Sequence, residues 1–284
     1  MALAYRILNV FTVGGDRLSG NPLCVFEDGR GLDDATMQAL ARQLNLSETA
    51  FLLPAGAPGA TARVRIFTPS YEMPFAGHPT LGAAHVVRSL QDTGDRVTLE
   101  LKAGPVEVRA ARDRWTLRAA KVPVARQPEA SGDELACMLG LPAGSVGRAL
   151  WIDTGVEQLV VPVGSPELVR AARPDPARLD RHGRPPAGGE AMVLAWAAVA
   201  PRQALARFFS LEHGAVLEDP ATGSACANLG GWFVATGAPR PVLFSVSQGD
   251  AVGRPSRLGL AVGDGEGIFV SGEVVELGRG SFEL

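Results

Sequence analysis

The chain has 284 residues, 46% of them hydrophobic and 20% charged, with a formal net charge of −3; this is a globular composition, sufficient for two domains of ordinary size or one large one. Lys and Arg are scattered, so no basic face for nucleic acid is expected, and no run of about eighteen apolar residues suggests a membrane span. The N-terminus lacks a basic leader with a long apolar core, which makes a cytoplasmic location the expectation.

In chain order, residues 5–11 read as a strand. A turn through Gly14, Gly15 and Gly20 follows, and residues 22–26 return as a second strand, so a hairpin is expected. Asp33 or Asp34 can cap a helix that places Met37, Leu40, Ala41 and Leu44 on one face. Strands are expected at 49–53 and 62–67, an Ala-rich helix at 80–89, and further strands near 97–101, 106–110 and 115–118. Residues 121–132, rich in Pro, Ala and polar side chains, read as the linker between domains. Beyond it come a short helix (134–139), a strand near 159–163, Pro-broken helical turns from 166 to 179 and a loop at 182–189. Strands at 192–200 and 205–209 and a helix at 223–236 follow, and the tail from 242 reads as short strands separated by Gly turns. Many strand pairs are too close in sequence for a crossover helix, which disfavours an all-parallel sheet. Cys24, Cys137 and Cys226 have no metal-binding spacing; each is expected to be a small buried residue, and neither a metal nor a disulfide is anticipated.

The most informative pattern is a duplication. Glu72, Pro74 and Gly77 recur as Glu218, Pro220 and Gly223 at a single offset of 146 (218−72, 220−74 and 223−77). Arg65-Ile-Phe67-Thr68 precedes the first copy and Arg207-Phe-Phe209-Ser210 the second, and small residues follow each. Both copies read as strand, sharp Gly/Pro loop, helix. Such a loop leaves backbone N–H groups uncommitted at the positive end of a helix dipole, a setting that suits a small anion.

Four side chains stand where chemistry could occur. Glu48, at a helix-to-strand junction, is either a solvent-facing residue or a carboxylate in a cleft, with a pKa raised by desolvation, serving as base and then acid. His78 opens the first repeated helix, where a cation is disfavoured, so it is a structural residue or a functional neutral imidazole. Asp219 lies beside Glu218; capping needs only one carboxylate, which leaves the other for function. Ser224 is a small first-turn residue whose hydroxyl and N–H lie where an anion would bind. Asn21, in Gly20-Asn21-Pro22, is a turn former whose amide could also reach a ligand.

These segments resemble the PhzF family of isomerases, named for phenazine biosynthesis, within the diaminopimelate epimerase-like fold. The matching stretches are Phe11-Thr12, Gly20-Asn21-Pro22-Leu23, Asn45-Leu46-Ser47-Glu48-Thr49, Arg65-Ile-Phe-Thr-Pro69, Phe75-Ala-Gly-His-Pro-Thr80, Glu218-Asp-Pro-Ala-Thr-Gly-Ser224, Gln248-Gly249 and Gly253-Arg-Pro-Ser256. The resemblance implies an α+β chain of two pseudo-symmetric domains, each a curled, mostly antiparallel sheet around a central helix, with the active site between them. The expected bounds are 1–120, joined in that fold by a last strand at 275–284, and 121–274. By this similarity Glu48 is the proton-transferring carboxylate. His78, Asp219 and Ser224 match binding and polarising positions, and Gly77 and Gly223 supply loop N–H groups. Related epimerases carry two thiols at these loops; here the first loop has no cysteine and Cys226 lies past Ser224, which disfavours a two-thiol racemase. The expectation is a cofactor-independent isomerase that moves a proton on a small carboxylate-bearing metabolite, in a chain that pairs as a homodimer, as relatives with this fold often do. Two alternatives stay open: an epimerase or racemase using Glu48 and Asp219 as opposed bases, and a metabolite-binding protein without turnover.

Overall fold

Alternation of apolar and polar residues in the first twelve positions produces a long strand, β1 (Ala2–Thr12), which pairs antiparallel with β2 (Asn21–Phe26) as the hairpin pattern predicts. The computed structural model describes residues 2–186, 188–265 and 267–284. They divide into two compact units, Met1–Arg118 with Ser271–Leu284, and Ala119–Val270.

In the first unit α1 (Asp34–Leu44) begins where Asp33 accepts from the Thr36 N–H at 2.8 Å and ends at Asn45, in the left-handed region at φ 51°. Its buried face is Met37, Leu40 and Ala41. β3 (Glu48–Leu53) pairs parallel with β2 and antiparallel with β4 (Ala62–Phe67), which pairs in turn with the two-residue β5 (Glu72–Met73). After α2 (Gly77–Gln91), β6 (Arg96–Leu101) joins β4 in parallel, and β7 (Gly104–Ala111) and β8 (Arg114–Arg118) extend the sheet antiparallel. Period-two alternation splits the apolar side chains between two layers. Cys24, Phe26, Phe51 and Phe67 pack with α1, while Leu23 touches Gly82 of α2. The first eight residues of α2 are all buried, and the helix packs on seven strands of the unit, β1 to β4 and β6 to β8. A helix apolar and small-sided all round is one that strands can approach from every direction.

The second unit repeats this order of pairings. It consists of β9 (Val124–Arg126), α3 (Gly132–Met138), β10 (Leu150–Asp153), β11 (Glu157–Pro162), α4 (Pro166–Ala171), α5 (Pro176–His182), β12 (Met192–Ala200), β13 (Gln203–Glu212), β14 (Ala215–Asp219), α6 (Gly223–Ala235), β15 (Val242–Gln248) and β16 (Ser256–Val262). The pairs β10–β11, β12–β13, β13–β14 and β15–β16 are antiparallel, and β11–β12 and β13–β15 are parallel. β1–β2, β3–β4, β4–β5, β6–β7, β2–β3 and β4–β6 follow the same scheme in the first unit. One face of the second sheet is covered by α3, α4 and α5 through Leu135, Met138, Val169 and Leu179. α6 packs on β9, β10, β11, β15 and β16. Its Gly230 and Gly231 allow close approach: a Cβ there would meet Ile268 at 2.8 Å and Ile152 at 2.6 Å.

Three expectations need correction. Residues 121–132 are not a bare linker, because β9 pairs with β10 and Arg126 holds Glu157 through two hydrogen bonds; a three-residue strand between prolines is too short to carry a periodic signal. Gly249 and Gly253 do separate β15 from β16, but from 268 on the tail does not break at its glycines: β17 (Ile268–Glu283) runs through Gly272, Gly278 and Gly280, and pairs with β1. Gly272 and Gly280 mark where the rings of Phe11 and Tyr5 lie against the strand, at 2.1 and 2.8 Å from an ideal Cβ, and not turns. Cys137 is exposed on the outer face of α3, whereas Cys24 and Cys226 are buried.

Candidate active site

The site residues fall in two groups, one in each unit. In the first, Glu48 opens β3 three residues after the left-handed Asn45. Parallel pairing sets it opposite Leu23, two residues beyond Asn21, which is fully buried at the head of β2. His78 is the second residue of α2. Its Nδ1 lies 3.5 Å from Glu48 Oε2, with the imidazole 5% and the carboxylate 16% exposed. The imidazole also bonds to the carbonyl of Pro22. Segments around positions 21, 48 and 78 are thus brought together. Burial outweighs the Pro22 bond and pushes the His78 pKa down to about 3, so the ring is neutral at neutral pH. Its Nε2 is buried and has no hydrogen-bond partner among the described residues.

A stability consequence follows. The unfolded chain takes a proton on His78 near pH 6.5, while the native chain takes one only near pH 3. Stability attributable to this residue is therefore constant above about pH 6.5 and falls as pH drops below it. Between pH 6.5 and 5, the wild type is expected to lose about 2 kcal/mol more than His78→Gln. Urea denaturation at the two pH values measures the difference; equal losses would show that native His78 titrates normally.

In the second group, the two adjacent acids are separated by use. Arg207 grips Glu218 through Nε at 2.9 Å and Nη2 at 2.6 Å. Arg207 Nη1 also donates to the carbonyls of Val169, Arg170 and Ala172 at the end of α4. The other copy is built alike: Arg65 grips Glu72 at 2.7 and 3.0 Å. Each guanidinium lies over the Phe two residues on, 5.0 Å from the Phe67 centroid and 4.8 Å from that of Phe209. The register matches too, with Phe67 opposite Glu72 and Phe209 opposite Glu218. The repeated Glu is therefore a structural anchor for the loop that follows it, and Asp219 lies outside that pair.

Asp219 Oδ2 accepts from Thr222 Oγ1 at 2.5 Å. Gln248, fully buried, laces the same loop: its Nε2 donates to the Asp219 carbonyl at 2.8 Å and to Thr222 Oγ1, while its Oε1 accepts from the Thr222 N–H. Gly249, at φ 86°, follows; a Cβ there would lie 2.2 Å from the Arg254 carbonyl oxygen and 2.6 Å from that of Pro220, so no other residue fits. Ser224 is the second residue of α6, and its Oγ accepts from Gln158 Nε2 at 3.0 Å.

The two repeated helices share one more property. α1, α3, α4 and α5 each begin with a side chain that caps the first turn, from Asp33, Ser131, Ser165 and Asp175. α2 and α6 begin at Ala76 and Thr222 with no side-chain cap and no acid in the first turn. Their leading N–H groups, at Gly77 and His78 and at Gly223 and Ser224, thus have no N-cap side chain to accept from them, which is the arrangement that favours an anion. Neither buried thiol is suited to thiol chemistry: burial pushes both Cys24 and Cys226 up to about 12, so neither is a thiolate at neutral pH.

Sequence reasoning missed Gln158, Asn228, Thr222 and Pro22. A signal existed for Asn228 and Gln158, each a lone amide in an apolar run, since a buried amide must find a partner; which partner was not readable.

The family model described as phenazine biosynthesis-like protein matches residues 8–278. Among curated relatives, an uncharacterized isomerase of Pasteurella multocida is 36% identical over 98% of this chain and 93% of its own length. The trans-2,3-dihydro-3-hydroxyanthranilate isomerase of Pseudomonas fluorescens is 34% identical over 94% of this chain and 95% of its own. The crystal structure of a PhzF-family phenazine biosynthesis protein of Bacillus anthracis superposes with a TM-score of 0.83, at 22% identity and 100% of both chains, a likeness of fold.

Proposed function

As a member of the family of phenazine biosynthesis-like proteins this chain is an isomerase, and we propose that it works by intramolecular proton transfer through Glu48 on a small carboxylate-bearing metabolite. The observation that supports this most is the pairing of a largely buried carboxylate with a neutral imidazole, 3.5 Å apart, at an uncapped helix N-terminus. A carboxylate beside a cationic His would be held too acidic to act as a base; beside a neutral one it keeps its basicity. Glu48 takes a proton from one carbon of the substrate and returns it to another on the same face.

Substrate carboxylate or carbonyl oxygens are assigned to uncapped N–H groups of the repeated helices, at Gly77–His78 in one unit and at Gly223–Ser224 in the other. Those N–H groups also stabilise negative charge as the C–H bond breaks, without reorganising at the moment of reaction. Neutral His78, Asp219 and the Asn21 amide orient hydroxyl or amine groups. The two units are read as pseudo-symmetric copies of a diaminopimelate epimerase-like domain, a reading supported by the repeated order of strand pairings.

The test is solvent-deuterium incorporation across a panel of cyclic carboxylates that includes trans-2,3-dihydro-3-hydroxyanthranilate, the substrate in the relative's name. The expected result is a double-bond isomer carrying deuterium at the carbon that receives the proton. Recovery of starting material inverted at a stereocentre would instead assign Glu48 and Asp219 as opposed bases. Binding without exchange across the panel would overturn the enzymatic reading.

A further inference from the structure

Behind Ser224 lies a chain of buried amides whose polarity is set by backbone groups. The Thr154 N–H donates to Asn228 Oδ1 at 3.0 Å, and Thr154 Oγ1 donates to the same atom at 2.6 Å. A backbone N–H can only donate, so the Asn228 atom that faces it must be the oxygen. Asn228 Nδ2 then donates to the Val156 carbonyl at 2.8 Å, an acceptor that requires a nitrogen there, and to Gln158 Oε1, also at 2.8 Å. That turns Gln158 with its Nε2 toward Ser224, 3.0 Å away. Asn228 is fully buried and Gln158 is 1% exposed, so water does not scramble the order. Both ends of the Asn228 amide are fixed by main chain, and neither amide can flip without placing like groups of Asn228 and Gln158 face to face.

We propose that Thr154, Asn228 and Gln158 are positioning residues that orient the Ser224 hydroxyl as a donor. Its Oγ receives the Gln158 N–H, so its single proton is directed away from the relay, toward the ligand. Ser224 is thereby set to donate to an acceptor, a carboxylate or carbonyl oxygen, and only its one remaining lone pair is left for a hydroxyl or ammonium hydrogen at the same point. This deepens the proposed function and rests on its assignment of Ser224 to a substrate carboxylate.

The test uses the full chain and anthranilate, a stable aromatic carboxylate, with affinities from titration calorimetry. Ser224→Ala is expected to weaken binding about tenfold to a hundredfold, the range for a hydrogen bond to a charged group. Gln158→Met, of similar volume but with no donor, is expected to weaken it several-fold in the wild type and not at all in the Ser224→Ala background. Thr154→Val keeps the shape at the far end of the relay. It is expected to give a smaller loss with the same dependence on Ser224, and it serves if Gln158→Met does not fold. An equal loss from Gln158→Met, or in its place Thr154→Val, with and without Ser224 would make the relay purely structural and overturn the proposal, while leaving Ser224 as a ligand contact. No change in Ser224→Ala, or no binding by the wild type, would overturn the carboxylate assignment itself and the relay with it.

Discussion

Glu48→Gln is expected to lower turnover by about 10²- to 10⁴-fold, the usual worth of a positioned general base, and to leave ligand affinity within about threefold. The substitution keeps the volume and the planar polar head of the side chain at the start of β3 and removes only its ability to hold a proton. Its neighbour His78 has its conjugate acid disfavoured by burial to the point of a pKa about 3, so it is far too weak a base at neutral pH. The buried thiols, held near 12, remain protonated. Two readings separate the base from a binding role: solvent-deuterium incorporation, which should vanish, and titration of a carboxylate ligand, which should not change. Exchange at the wild-type rate in Glu48→Gln would end the assignment.

Arg207→Met is expected to cost about 3–5 kcal/mol, the range for removing one partner of a buried ion pair. The guanidinium and the Glu218 carboxylate are 8% and 9% exposed, and the same guanidinium satisfies three carbonyls at the end of α4. Methionine would fill the space and strand the Glu218 carboxylate, while the carbonyls of Val169, Arg170 and Ala172 would keep only their other donors, the Ala172 N–H and Arg173 Nη1. Arg65→Met in the other copy should cost clearly less. One of its partners, Asp34, is 84% exposed, and the other, Glu72, also has Lys102 within 3.5 Å. Urea midpoints for the two variants measure the contrast, and equal costs would refute it. If Arg207→Met does not express, Arg207→Met with Glu218→Met removes the stranded charge and should recover much of the loss.

The parts of this fold that could be read from sequence are those whose signal is local. The β1–β2 hairpin, the Asp33-capped α1 and the paired prolines that open α4 and α5 each declare themselves within a dozen residues. The duplication was equally legible, because offset and composition agree, and it proved to include the grip of Arg65 on Glu72 and of Arg207 on Glu218. What failed was non-local. β9 exists because β10 offers it an edge, and β14 because the second copy continues four residues further before its Glu (218−207 against 72−65). His213 and Gly214, both at positive φ, turn that longer hairpin. Glycines in β17 were taken for breaks because a sequence does not show which ring will lie against them. The same holds at the candidate site. Glu48, His78, Asp219 and Ser224 could be named from motifs, but the contact of Glu48 with His78 and the polarity of the Gln158–Asn228 relay depend on partners 30 and 70 positions apart.

The bare starts of α2 and α6 have a consequence for engineering. Side-chain caps are among the most dependable ways to harden a protein, each adding on the order of 1 kcal/mol. Ala76 and Thr222 are the two helix entrances here where such a gift was never accepted. A designer who installed Asp at 76 would gain a cap and put a resident carboxylate where, on the proposed function, a visiting one settles; at 222 the same change would set a second acid against Asp219, which now accepts from Thr222 Oγ1. In this chain, fragility and receptiveness are one property.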